Sequence, residues 1–119
     1  MDRKAQIRAY KETPRPAGVF VVLNKVSGRR LVGSSQDLPG MLNRQRFQLE
    51  NGSHPDRELQ RDWRELGPDA FEFGVLDELA PPKEPGGDLS ADLRALQQLW
   101  LEKMAAANEP LYPMSRRGA

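Results

Sequence analysis

The chain has 119 residues, enough for one compact core and too few for two ordinary domains. It has no cysteine, which excludes disulfides and thiolate zinc sites, and no apolar run long enough to cross a bilayer. The net charge of +1 hides an asymmetry: residues 1–49 carry ten Lys/Arg and three Asp/Glu, a net of +7, and residues 50–119 carry eight and fourteen, a net of −6.

Residues 2–12 read as a short amphipathic helix with Ile7 and Tyr10 on one side. Thr13-Pro14-Arg15-Pro16 ends it, because each proline disfavours helix at the residue before it. Val19 to Leu23 is a nearly continuous apolar run, as in a strand buried on both faces. Val26-Ser27-Gly28-Arg29 reads as a hairpin turn and Arg30 to Gly33 as its antiparallel partner. Ser34-Ser35-Gln36-Asp37 offers caps for a helix over residues 38–50, which Gly52 stops. Ser53 is the expected cap of the next helix, with Pro55 in its first turn and Leu59, Trp63 and Leu66 as its buried stripe. Phe71, Phe73 and Val75 alternate with polar or small residues, the pattern of a strand with one buried face. After a Pro/Gly-rich loop, a helix over residues 89–107 carries the stripe Leu89, Leu93, Leu96, Trp100 and Met104. An ordered turn and a frayed basic end, Arg116-Arg117, follow. The expected architecture is α+β, a small three-stranded antiparallel sheet flanked by helices. The expected organisation is an N-terminal helix and linker over 1–16, a domain over 17–113 and a basic tail over 114–119.

Residues 17–79 carry a further pattern. Gly18-Val19-Phe20 and Leu31-Val32-Gly33, followed by Ser34-Ser35, resemble the paired triplets of the GIY-YIG nuclease superfamily. Asn24, Gly28, Asn51-Gly52-Ser53-His54, Leu59-Gln60, Trp63, Gly67 and Phe71-Glu72-Phe73 continue in the family's order. Residues 89–113 match it more weakly. The resemblance implies a site in which a tyrosine activates water, an arginine neutralises the phosphate and a glutamate on the last helix holds a divalent metal. Here the first triplet ends in Phe20, which has no oxygen to act as a base. The second opens with Leu31 where the family has a supporting tyrosine. The arginine position falls at Met41, and one turn later Gln45 stands where a histidine or tyrosine is frequent. Counting back three residues from Trp100 places Gln97 at the metal-anchoring glutamate, and a neutral amide is a poor substitute for that carboxylate. A terminal asparagine of the family falls near Pro113.

His54 is retained, either as a remnant of the catalytic set or as a capping or surface histidine beside Ser53 and Pro55. Glu50, Asp92 and Glu102 are the nearest carboxylates in sequence, and none is placed to replace Gln97, so no metal ligand set is expected. No phosphate-binding glycine loop, paired-histidine metal motif or Ser-His-Asp set competes with this reading.

The leading expectation is a GIY-YIG-like domain that has lost the usual chemistry and binds nucleic acid, DNA or RNA, without a cofactor. Lys25, Arg29, Arg30, Arg44 and Arg46 are the candidate phosphate contacts, since turn and helix positions project long cations outward. Two alternatives stay open. One is a divergent metal-dependent endonuclease that would need Mg or Mn and would use His54 as acid/base, Arg44 or Arg46 as phosphate clamp and an unrecognised carboxylate as metal ligand. The other is a protein-interaction adaptor. The polar start and the absence of cysteine fit a cytoplasmic protein with no membrane partner.

Overall fold

The computed structural model describes residues 15–80 and 88–117. The helix expected over residues 2–12 and the loop over 81–87 lie outside the described residues. Strands β1 (Ala17–Asn24), β2 (Arg30–Ser35) and β3 (Phe71–Leu79) form one antiparallel sheet in the order β2-β1-β3. Helices α1 (Leu38–Asn51) and α2 (Arg57–Leu66) link β2 to β3, and α3 (Ser90–Ala106) follows β3. Among the described residues no helix is long and apolar enough to cross a membrane.

The apolar run of β1 has the meaning its pattern implies, since β1 is the central strand and is covered on both faces. Val22 packs with Leu31, Leu49, Leu59, Trp63, Phe71 and Tyr112 on the side of α1 and α2. Val19, one residue out of phase, packs with Val32 and Met104, and with Leu96 and Trp100 of α3, on the other side. The β1–β2 turn is held by Asn24, whose Oδ1 accepts the Val26 and Ser27 N–H groups at 3.0 and 3.2 Å. Gly28 takes φ 80° there, a conformation that side chains resist.

Four expectations are corrected. In β3 the strict alternation breaks. A register shift sets Val19 opposite Asp77 and Phe20 opposite Val75, so Leu76 is the extra residue. Leu76 therefore packs into the α3-side core, and Val75 is 44% exposed. Ser53 does not cap α2. Asp56 does, with Oδ1 accepting the Glu58 and Leu59 N–H groups at 3.1 Å each, and Pro55 precedes the helix. Leu66 is 43% exposed, and the buried face of α2 is Leu59, Gln60 and Trp63.

On α3 the fully buried residues are Leu93, Gln97 and Met104, with Leu96 and Trp100 half-buried and Leu89 at the N-cap. The chain after α3 is docked rather than loose. Arg30 N–H donates to the Pro110 carbonyl and Tyr112 N–H to the Arg30 carbonyl. Val32 N–H donates to the buried Ser115 Oγ at 2.8 Å. A short 3-10 turn spans Pro113–Arg117, where the sequence pattern reads as a frayed end.

Candidate functional site

Strand pairing sets Phe20 opposite Gly33 and Val22 opposite Leu31. A Cβ on Gly33 would lie 2.6 Å from Phe20 Cζ, so only glycine lets this ring lie over β2. Helix α1 starts just after β2, capped by Asp37, whose Oδ1 accepts the Gly40 N–H at 3.1 Å. Its first turn carries Met41 and its second Gln45, four residues apart and so on one face. The α1–α2 connection adds His54 and the C-terminal segment adds Met114. These side chains, with Leu31 and Phe20, enclose a mainly apolar cleft of about 130 Å3. Five residues singled out in the sequence, Phe20, Leu31, Met41, Gln45 and His54, thus converge on one place.

His54 is buried, not a surface residue. Its Nδ1 accepts the Asp56 N–H at 3.0 Å, so that nitrogen carries a lone pair. Nε2 therefore bears the proton and donates to Gln45 Oε1 at 2.5 Å. The His54 N–H donates to Gln60 Oε1, and Gln60 Nε2 donates to the Leu49 carbonyl, each at 3.0 Å. Both ring nitrogens and the backbone donor are consumed internally. Burial lowers the His54 pKa below its usual value, against the opposing pull of the Asp56 carboxylate. The ring is held neutral, with no lone pair left to take a proton from a ligand in the cleft.

Gln97 is buried on α3 but does not line the cleft. Its Oε1 accepts from the Ser34 hydroxyl at 2.8 Å, and Ser34 stands at the cleft wall. Its Nε2 is the buried side-chain polar atom that lacks a partner among the described residues. The resemblance seen in the sequence implies a divalent metal, and the donors here do not fit one. The amide oxygen nearest the expected position is already used by Ser34, no carboxylate lines the cleft, and among the described residues no three His, Asp or Glu side chains assemble into a metal-ligating group.

The candidate phosphate contacts differ in how far they are already paired. Arg29 pairs with Glu58 at 3.1 Å and Asp62 at 3.9 Å, and its guanidinium lies 4.2 Å over the Tyr112 ring. Arg30 pairs with Glu109 and the Gly28 carbonyl. Both guanidiniums are thus half-buried and already paired within the fold. Lys25, Arg44 and Arg46 are exposed, with the Arg46 guanidinium 4.4 Å over the Phe73 ring.

Two polar centres carry no flag in the sequence reading. Asp56 is 2% exposed and joins three segments: it caps α2, its N–H holds His54, and its Oδ2 accepts the Met114 N–H at 3.0 Å. Its signal was present, an aspartate three residues before the first buried leucine of a helix. Tyr112 is fully buried. Its hydroxyl accepts from Asn24 Nδ2 at 3.1 Å and donates to Asp62 Oδ2 at 2.7 Å. Burial, reinforced by Asp62, pushes its pKa up to about 12. Nothing in the sequence near Tyr112 marks this role, because its hydroxyl's partners lie on two other elements, β1 and α2.

A β1–β2 hairpin, a helix pair, a third antiparallel strand beside β1 and a helix covering the far face make up the GIY-YIG nuclease fold. No protein-family model matches the chain, and no curated protein matches it significantly. Among solved structures, the catalytic domain of the homing endonuclease I-TevI is similar at 22% identity and TM-score 0.63, over 79% of this chain and 94% of that one. A point variant of the catalytic domain of intron endonuclease I-TevI is similar at 23% identity and TM-score 0.65, over 83% of this chain and 93% of that one. At such identity the likeness establishes the shared fold.

Proposed function

We propose that this chain is a GIY-YIG-fold domain that does not hydrolyse phosphodiesters in the usual way and serves as a nucleic-acid-binding module. One observation carries the reading. At the centre of the fold, where a water-activating base and a phosphate-neutralising cation would stand, Phe20, Leu31 and Met41 meet in an apolar cleft. General-base and electrostatic contributions are each worth orders of magnitude in rate, and hydrocarbon side chains supply neither. His54 does not take their place, because both its ring nitrogens are bonded internally. The nucleic-acid part rests on the shared fold with an endonuclease domain and on exposed cations.

The test is direct. Purified protein is incubated with labelled duplex and single-stranded DNA and RNA, with magnesium or manganese, and binding is measured in parallel at two salt concentrations. The expected result is no cleavage, with binding that weakens as salt rises. Metal-dependent nicking that survives rigorous purification and vanishes in His54→Ala or Gln97→Ala would overturn the non-catalytic reading in favour of a divergent endonuclease. Binding absent even at low salt would leave a protein-interaction role.

A further inference from the structure

Helix α2 sorts its side chains onto three faces. Leu59, Gln60 and Trp63 face the core. Glu58 and Asp62 turn toward Arg29, at 3.1 and 3.9 Å, and Asp62 also accepts from Tyr112. Arg57, Arg61 and Arg64 occupy the remaining face and are exposed. On a helix rising 1.5 Å per residue, their Cα atoms stand about 6 and 10.5 Å along the axis from the first. Two of the three acidic residues of α2, Glu58 and Asp62, are thus drawn to Arg29, and the arginines are left together.

These arginines line a groove of about 620 Å3 between α2 and the end of α1. Gly52 and Ser53 form its other wall, and Glu65 is its one carboxylate. Arg57 has no ion-pair partner among the described residues. Arg61 meets the adjacent Asp62 at 3.6 Å, a weak exposed pair. Arg64 reaches the Gly52 carbonyl at 3.5 Å. His54 lines both this groove and the apolar cleft, so the two are neighbours across one side chain.

We propose that this groove is the docking site for a nucleic-acid phosphate backbone, a proposal that rests on the nucleic-acid reading above and relocates it from the N-terminal half to α2. Charge complementarity commits the occupant. Three guanidiniums in a row against one carboxylate suit a repeating anion, and the groove is far larger than one phosphate needs. Each arginine offers paired N–H donors to phosphate oxygens. Arg57, Arg61 and Arg64 set register and affinity and read no sequence, as backbone contacts do.

The experiment is fluorescence anisotropy with labelled 20-nucleotide duplex and single strands between 50 and 200 mM salt. Three phosphate contacts on duplex account for a slope of about −2.7 in log affinity against log salt, or about 40-fold weaker binding over that range. The Arg57→Gln, Arg61→Gln, Arg64→Gln variant is expected to lose that part of the slope, and the Arg44→Ala, Arg46→Ala variant to retain it. A second variant, Arg57→Gln with Arg61→Gln, leaves the Arg64–Gly52 contact intact and is expected to lose two-thirds of the effect with an unchanged thermal midpoint. Salt-dependent binding that survives both groove variants and fails in the α1 variant overturns the groove and leaves the nucleic-acid reading standing. Absence of binding by the parent protein overturns both. Displacement by polyglutamate as effective as by unlabelled duplex also overturns the proposal, since the groove would then be a general acidic-protein surface.

Discussion

Asp56→Asn changes one buried atom from acceptor to donor and isolates what the hub at the start of α2 contributes. In the parent, Oδ1 accepts two N–H groups at 3.1 Å and Oδ2 accepts the Met114 N–H at 3.0 Å. Asparagine is as good an N-cap as aspartate, so with its oxygen toward Glu58 and Leu59 the cap survives. Its amide NH2 then meets the Met114 N–H, donor against donor. Leaving that group unsatisfied costs about 1–3 kcal/mol. Losing the negative charge at the helix N-terminus costs a further 0.3–1 kcal/mol or so. Flipping the amide relieves Met114 but presents NH2 to two N–H groups, so no rotamer escapes. The total is about 1.5–4 kcal/mol, which at roughly 4 °C per kcal/mol for a domain of this size lowers the thermal midpoint by about 6–16 °C. Circular-dichroism melts and urea titrations read it, with a lower midpoint and an unchanged m-value. Hydrogen exchange adds a local readout, since the Val32 amide, which donates to Ser115 beside Met114, should lose protection. A loss below about 0.5 kcal/mol would show that Met114 is not held by Asp56, and the docking of the C-terminal segment would need another cause.

Two other perturbations test the buried polar groups. Because burial lowers the pKa of folded His54 below 6.5, the unfolded chain takes up the proton first. His54 thus stabilises the fold above pH 6.5, and that contribution is lost as pH falls below 6.5 toward the folded-state value. Urea titrations from pH 7 downward should show the loss before carboxylates titrate, and a His54→Gln variant with the same early loss would refute it. Tyr112→Phe should cost about 1–3 kcal/mol, because Asn24 Nδ2 is left buried without an acceptor. In a Tyr10→Phe background the Tyr112 phenol should ionise near 12 by ultraviolet titration, and stability tied to its neutral form, complete below pH 10, should fall as pH rises from 10 to 12. Ionisation near 10 would place the hydroxyl in solvent.

The sequence by itself determined the elements and their order. The run from Val19 to Leu23 required a strand covered on both sides, and β1 is the central strand because such a run has no face to give to water. The turn at Gly28, the stop at Gly52 and the helix over 38–50 followed from local backbone chemistry, which acts within a few residues. Phe20, Leu31, Met41, Gln45 and His54, each singled out in the sequence by the family resemblance, line one cleft. What escaped depends on residues far apart in the chain. The bulge at Leu76 shifts a two-residue period by one, and only the pairing with β1 decides where that happens. Whether a cation is free depends on which carboxylates fold against it. Arg29 and Arg30, counted as positive surface in the sequence, are neutralised by Glu58, Asp62 and Glu109 from 29 to 79 residues away. The same pairing turns Glu58 and Asp62 of α2 toward Arg29 and leaves Glu65 as the one carboxylate in the groove that Arg57, Arg61 and Arg64 line. Net charge is additive along a chain, but the field at a surface is set by three-dimensional neighbours, so only the tertiary structure decides which face is basic.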